Sequence, residues 1–165
     1  MKRLAGLLGV LLGLAVLSAC ASGDTLDELS QTLSVDLSQG TVTAETDRHG
    51  GAHGDGERWV KVTLEEDLSP ALETAGWQAL PLPEPLEAAV YGVTREEGDR
   101  TISEGPYFQQ KMPRVSRGYY FFRDRHSEAT DPADPSGMGE RASFNFTFAL
   151  YDTDSKRLYY CELDT

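Results

Sequence analysis

The sequence predicts an α+β fold, with about five mainly antiparallel strands and two or three short helices after a cleaved N-terminal signal peptide. Three observations predict it. Apolar residues alternate with polar ones in short β-branched or aromatic runs, which is typical of strands. Turn residues join these runs in pairs, which indicates hairpins. Proline and glycine bracket short segments of helical spacing between them. We expect the helices to cover one face of the sheet, giving two layers.

The predicted elements begin with a helix and a hairpin. Leu26, Leu29 and Leu33 recur at helical spacing and predict one or two helical turns. Residues 41–46 and 59–64 are alternating, β-branched runs on either side of a loop rich in glycine and aspartate. Two such runs around such a loop predict a β-hairpin.

Two short helices are predicted next. Ser69 suits an N-cap and Pro70 the first position of a helix that Gly76 ends. Residues 84–91 predict a second helix, with a turn at 98–99 beyond it. The residues of this second helix that we expect to face inward are Leu86, Ala89 and Val90.

The C-terminal half predicts more strands. Residues 115–123 are aromatic enough for a strand buried on both faces. Residues 127–142 hold two Asp-Pro pairs and two glycines, and we expect a long mobile loop. The clearest pattern in the chain is at 144–150, which alternates regularly and pairs with 158–163 around a turn at 152–155. The alternation places three phenylalanines and a leucine on one core face.

The N-terminus has the pattern of an export signal. A basic opening, Met1-Lys2-Arg3, precedes an uncharged run of leucine, alanine, glycine and valine that extends to Ala19. These are the first two regions of a signal peptide. The apolar run is short for a membrane span, which needs about 20 residues.

The end of this run resembles the lipobox of bacterial lipoproteins. It reads Leu17-Ser18-Ala19-Cys20, an aliphatic residue and two small residues before a cysteine. The resemblance implies cleavage before Cys20 and lipid on its thiol, and two acyl chains suffice for stable anchoring. Cleavage after Ala21 and an uncleaved anchor are the alternatives. We therefore divide the chain into a signal peptide (1–19), a lipidated cysteine and tether (20–32) and a single α+β domain (33–165).

Charge narrows the possible partners. The whole chain carries a formal charge of −12, and removal of the signal takes away Lys2 and Arg3 but no acidic residue, which leaves −14. Such a surface repels nucleic acid and anionic headgroups, so we expect no nucleic-acid partner. It suits a protein partner or a cationic ligand. With Cys20 lipidated, Cys161 has no disulfide partner in the chain, and we interpret it as a small half-buried strand residue.

The predicted domain also resembles a group of small uncharacterised lipoproteins from Gram-positive anaerobes. The segments that carry this resemblance are 47–57, 120–126, 145–147 and 159–163, and together it covers roughly residues 40–165. The resemblance implies no activity, ligand or fold. It directs attention to the two histidine-containing segments.

The glycine-rich loop with His49 and His53 is the first candidate site. Imidazoles bind Zn, Cu or Ni, and Asp55 can supply a carboxylate. His126 follows the aromatic strand and joins the loop if the two strands are neighbours. We predict no cofactor apart from this possible divalent metal. The alternative is a hairpin loop in which glycines supply positive φ angles and the histidines cap backbone groups.

A hydrolytic site is the second candidate. A histidine would be the base, Asp47 or Asp124 would orient it, and Ser127 or Ser143 would be the nucleophile. Residue types alone suggest this arrangement, since the chain contains no G-x-S-x-G, H-E-x-x-H or S-x-x-K motif.

These observations favour a binding or interaction module over an enzyme. We expect it to be anchored to the membrane through lipid on Cys20, on the extracytoplasmic face of the cell membrane. Metal binding or sensing through His49 and His53 is the first alternative function, and a small His/Asp-dependent hydrolase is the second. The ligand or partner and the oligomeric state do not follow from the sequence.

Overall fold

A six-stranded antiparallel sheet organises the chain in our computed structural model, which describes residues 22–50 and 54–165. The predicted α+β class is confirmed. The strands are β1 (Thr41–Asp47), β2 (Gly56–Thr63), β3 (Gln78–Ala79), β4 (Val93–Glu97), β5 (Arg100–Glu104), β6 (Gly118–Asp124), β7 (Asn145–Asp152) and β8 (Arg157–Asp164). The helices are α1 (22–33), α2 (Ser69–Thr74) and α3 (Glu84–Tyr91). The order across the sheet is β1-β2-β8-β7-β6-β3, while β4 and β5 pair in a separate ribbon.

Helices cover both faces of the sheet, so the expectation of two layers is wrong. Leu86 and Val90 of α3 pack in one cluster with Phe148 of β7. Leu29 of α1 packs in a second cluster with Ala149, the next residue of β7. The alternation in β7 predicted only one of its two buried faces, because Thr147 and Ala149, which alternate with the large apolar residues, are buried as well. The result is three layers with a core on each side of the sheet.

The segment expected to be a tether is part of the folded domain. The helix α1 covers residues 22–33, and Leu26, Leu29 and Leu33 are buried in the second cluster. The apolar spacing predicted this helix, but its buried leucines extend the core to the N-terminal side of residue 33. None of the helices in the described part of the chain is both long enough and apolar enough to cross a membrane. The proposed signal peptide and Cys20 lie outside the described residues.

A glycine turn ends α2 and leads into β3. The N–H of Gly76 donates to the carbonyl of Glu73 (3.1 Å) and the N–H of Trp77 to that of Leu72 (3.0 Å), which is a Schellman motif. Gly76 has φ +80°, a conformation that glycine adopts without strain. The predicted helix end is therefore confirmed. At the other end, Ser69 is not the N-cap but a first-turn residue, because its N–H and hydroxyl bond to the Asp67 carboxylate before it.

Two features of the chain went beyond the predicted elements. The β4–β5 ribbon occupies residues that the sequence assigned only to a turn at 98–99. The segment 127–142 contains a short 3-10 helix, Met138–Glu140, whose Met138 is buried in the first cluster.

Cys161 is fully buried, not half-buried, and burial raises the pKa of its thiol far above the ordinary value.

We expect Leu29→Ala to lower the free energy of unfolding by about 2–5 kcal/mol, because it empties a fully buried site between α1 and the sheet. Urea unfolding followed by tryptophan fluorescence measures the change. Gln31→Ala, an exposed position on the same helix, is the matched control and should leave the midpoint in place. Equal stabilities for the wild type and Leu29→Ala would mean that α1 is only a tether.

Candidate functional site

The two histidines in the described part of the chain, His49 and His126, lie at one end of the sheet, which we call the histidine end. Strands β1, β6 and β8 finish there, at Asp47, Asp124 and Asp164. Strands β2 and β7 begin there, at Gly56 and Asn145, and both of these residues pair with Asp164. The topology therefore places the His49 loop and the His126 segment at the same end, although β1 and β6 are separated by three strands.

His49 is held between two carboxylates. Asp47 accepts the backbone N–H of His49 (2.9 Å) and contacts its ring Nδ1 at 2.7 Å. The first of these bonds is the main reason why the pKa of Asp47 is lowered. On the other side of the ring, Nε2 lies 3.3 Å from Oδ2 of Asp164 but is not aligned for a hydrogen bond. Asp164 also pairs with Arg125 at 3.0 Å. This carboxylate therefore links the ends of three strands.

The two Asp-Arg-His segments form the same turn. In each, the aspartate is the last residue of a strand, and its Oδ1 accepts the N–H of the histidine two residues later, at 2.9 Å. This is an aspartate turn, in which a side-chain oxygen accepts the backbone N–H that would otherwise bond to another strand. The strand ends at this point. The sequence Asp-Arg-His occurs twice in the chain, at 47–49 and 124–126. In the fold it has a shared structural role at the histidine end.

His126 contacts a serine, but with the wrong polarity for a catalytic base. Its Nε2 lies 3.1 Å from the hydroxyl of Ser143, one of the two candidate nucleophiles. Its Nδ1 accepts the backbone N–H of Glu128 (3.2 Å), so in the neutral ring the proton is on Nε2. A general base needs a free Nε2 and an Nδ1–H that donates to a carboxylate. Asp124 instead bonds to the backbone N–H of His126. The geometry therefore gives the hydrolase hypothesis no support.

The predicted metal ligands do not converge in the described residues. No group of three or more His, Cys, Asp or Glu side chains there is arranged to hold a metal ion. Asp55 is exposed, and His126 contacts Ser143. His53 lies outside the described residues, as Cys20 does. A metal bound by His49 and His53 stays a prediction.

A second site, which sequence reasoning missed, is a cleft of about 300 Å³ at the opposite edge of the sheet from β1. We call it the edge cleft. One wall is the turn from α2 into β3, with Gly76 and Trp77, and the other wall is the loop segment 131–133. The floor is the outer edge of β6, from Tyr120 to Arg123.

The edge cleft exists because β3 is too short to cover β6. Only two residues pair, Gln78 with Tyr120 and Ala79 with Tyr119. On the N-terminal side of Gln78, the chain turns at Gly76 and comes from α2, so the rest of β6 has no neighbouring strand. Further along β6, the N–H of Asp124 donates to the carbonyl of Pro132 (2.7 Å), which fixes the second wall.

Hydrogen bonds from the core fix the first wall. Trp77 is buried, and its Nε1 donates to the carbonyl of Leu33 at the end of α1 (3.2 Å). The hydroxyl of Tyr151 accepts the N–H of Leu68 (3.1 Å) and donates to Asp67 (3.0 Å), at the start of α2. Burial is the main reason why the pKa of Tyr151 is raised to about 12. The start of α2 and the turn that follows this helix are therefore both anchored.

Comparison of the chain with models of protein families, with curated proteins and with solved structures finds no match.

We expect Asp124→Asn to destabilise the domain by about 3 kcal/mol. Asp124 is buried and pairs with Arg141, whose side chain is only 15% exposed, so the neutral amide leaves that cation poorly compensated. The amide oxygen of asparagine can still accept the N–H of His126, so the substitution tests the loss of charge alone. Thermal or urea unfolding measures the change.

Asp134→Asn is the matched control for this charge effect. Asp134 makes the same kind of turn, to the N–H of Ser136 at 2.9 Å, but it is exposed and lies in the segment 127–142, which also holds Arg141. Its replacement should not move the unfolding midpoint. Equal effects of the two substitutions would show that the buried ion pair contributes nothing to stability.

Proposed function

We propose that the protein is a lipid-anchored binding protein on the extracytoplasmic face of the cell membrane, and that its ligand binds in the edge cleft. The observation that carries this proposal is the cleft itself, which is a concave site with an apolar wall at Trp77 and polar groups at Arg123 and Asp131. Binding sites usually combine an apolar wall with a few polar groups in this way. The lipobox at Leu17–Cys20 supports the anchoring.

The position of the cleft suits a protein that is anchored through Cys20. Ser22, the first described residue of α1, is two residues after Cys20. Thr25 in the first part of α1 bonds to Glu45 of β1 (3.2 Å), while Leu33 at its end bonds to Trp77 beside the cleft. The helix therefore runs from the β1 side of the sheet toward the β3 side. Six strands at a spacing of about 4.8 Å put roughly 24 Å between the two edges. An anchor near β1 leaves the cleft facing away from the membrane.

The acidic surface is consistent with this orientation. A formal charge of −14 after removal of the signal is repelled by anionic headgroups, which keeps the domain from lying flat on the bilayer. It also favours a cationic ligand or a protein with a basic surface over a nucleic acid.

We expect wild-type protein from a bacterial host to incorporate labelled palmitate and to sediment with membranes, because Cys20 receives lipid. Cys20→Ser should lose the label. Cys161→Ser is the matched control, since it removes the other of the two cysteines, and it should keep the label. Labelled Cys20→Ser, or unlabelled wild type, would contradict the anchoring.

Metal binding by the His49 loop is the second candidate, and the orientation of one ring favours it. The Nε2 of His49 has no hydrogen-bond partner among the described residues and lies beside a carboxylate oxygen of Asp164. A nitrogen and an oxygen at this distance are two of the ligands that Zn or Ni uses.

We expect a metal that binds this loop to raise the unfolding temperature by several degrees. At about 100 times Kd, binding stabilises a fold by roughly 2.7 kcal/mol. Thermal unfolding with Zn, Ni, Cu and Ca measures the shift, which His49→Ala and His53→Ala should each abolish. A shift that survives both substitutions, or no shift with any ion, would remove this candidate.

A further inference from the structure

We infer that the ligand of the edge cleft is an extended peptide, which pairs with β6 as an added antiparallel strand opposite Phe122. The inference rests on the proposed function, because it names the chemical class of the ligand for the same cleft. Its basis is the direction and the pairing of the backbone groups along β6.

The backbone groups of alternate residues in β6 point away from the sheet. The carbonyl of Gly118 accepts the N–H of Leu80 (3.0 Å), Tyr120 pairs with Gln78, and the N–H of Asp124 donates to Pro132. Because backbone groups alternate direction along a strand, those of Phe122 point the same way. They face the edge cleft between two residues whose outward groups are paired.

The intervening residues point into the sheet, which confirms this alternation. The carbonyl of Arg117 accepts the N–H of Thr153 in the turn after β7 (3.1 Å), and the N–H of Arg125 donates to Asn145 of β7 (2.6 Å). Because the direction alternates with every residue, the N–H of Phe121 faces β7, and Phe121 pairs there with Ala149. Phe121 and Phe122 are therefore neighbours with opposite backbone environments.

No described residue pairs with the outward N–H and C=O of Phe122. The two sheet contacts of β3 stop at Tyr120, and the bond to Pro132 is made by Asp124. Phe122 lines the edge cleft, while its ring packs in the first cluster. Unpaired backbone groups at the edge of a sheet are a template for pairing with another chain. The cleft thus presents one donor and one acceptor to a ligand.

The turn that precedes β3 cannot supply the partner. Gly76 is the residue that would face Phe122 if β3 continued. Its N–H is used by Glu73 in the Schellman motif, and its carbonyl accepts Nε2 of Gln78 (3.3 Å). The turn that ends α2 therefore keeps this position of the edge open.

The donor and acceptor of Phe122 match one residue of an antiparallel strand. Such a residue exchanges both of its backbone hydrogen bonds with the residue opposite, which is the basis of peptide binding by strand addition. From Tyr120 to Asp124 the edge is about 13 Å long, at about 3.3 Å per residue, so it has room for about three peptide residues. The indole N–H of Trp77 is already bonded to Leu33, so this wall offers the peptide an apolar surface. The side chains of Arg123 and Asp131 supply charges at the rim.

Selective labelling of phenylalanine tests the inference on the full chain, expressed with its own N-terminus and purified in detergent. The six phenylalanines give six backbone amide signals in a ¹⁵N-phenylalanine spectrum. The signal of Phe122 is identified by its loss in Phe122→Leu. The probe is a pool of N-acetyl tripeptide amides, and the control pool carries an N-methyl group on the central residue.

We expect the tripeptide pool to shift the Phe122 signal saturably and to slow its hydrogen exchange at least tenfold. The Phe121 signal should keep its exchange rate, because its N–H is already paired with β7. The N-methylated pool should have no effect, since it lacks the donor that faces Phe122. An equal effect of both pools would overturn the pairing.

A blocked cleft provides the matched variants. Ala133→Trp fills the cleft from its exposed wall and should abolish the response to the peptides. Ala142→Trp, at an exposed alanine outside the cleft, should keep it. Loss of the response in both variants, or in neither, would contradict binding in the cleft.

Pools of sugars, nucleosides and divalent ions separate this inference from the proposed function. If one of them shifts Phe122 while the tripeptides do not, the cleft remains a binding site and strand addition is overturned. If no pool affects Phe122 or its neighbours, both the inference and the proposed function fail.

Discussion

The burial of β7 and β8 on both faces is the constraint on which the rest of the structure depends. Phe148 of β7 lies in one cluster and Ala149 in the other, while Cys161 and Tyr160 of β8 divide in the same way. A strand pair of this composition needs a layer on each side. The leucines of α1 and α2 supply one layer, and the buried face of α3 supplies the other with Leu86, Ala89 and Val90. Residues of β8 contribute to both clusters, and the second cluster also needs α1, which is far from β8 along the chain.

Local patterns predicted most of the elements but not how the layers are arranged. Three elements were predicted from short-range signals and are present in the structure. These signals are the alternation at 144–150 for β7, the proline and glycine around α2, and the spacing of leucines in α1. The covering of both faces depends on Ala149 and on Tyr160, whose surroundings come from distant segments. In the same way, a two-residue strand such as β3 has no period to detect. The edge cleft depends on its pairing with β6 and was therefore not predictable from the sequence.

The histidines attracted attention because of their chemistry, but the feature that His49 and His126 share is a role in strand termination. Aspartate turns at Asp47 and Asp124 hold the backbone of the following histidine, and the sequence contains this signal as the repeated Asp-Arg-His. The residue on which the proposed peptide binding rests, Phe122, has no reactive side chain. Its importance lies in a backbone donor and acceptor, which every residue except proline carries and which no motif can mark. Function that rests on backbone geometry becomes visible only when the pairing is known.

The isolated, fully buried thiol of Cys161 makes the folded domain indifferent to redox conditions. A thiol whose pKa is raised by burial has almost no reactive thiolate, and the packed core keeps oxidants and other thiols away from it. Cys161 is a free cysteine, so the described fold needs no disulfide to form and offers none to be reduced. The same core is therefore stable in a reducing compartment and in an oxidising one.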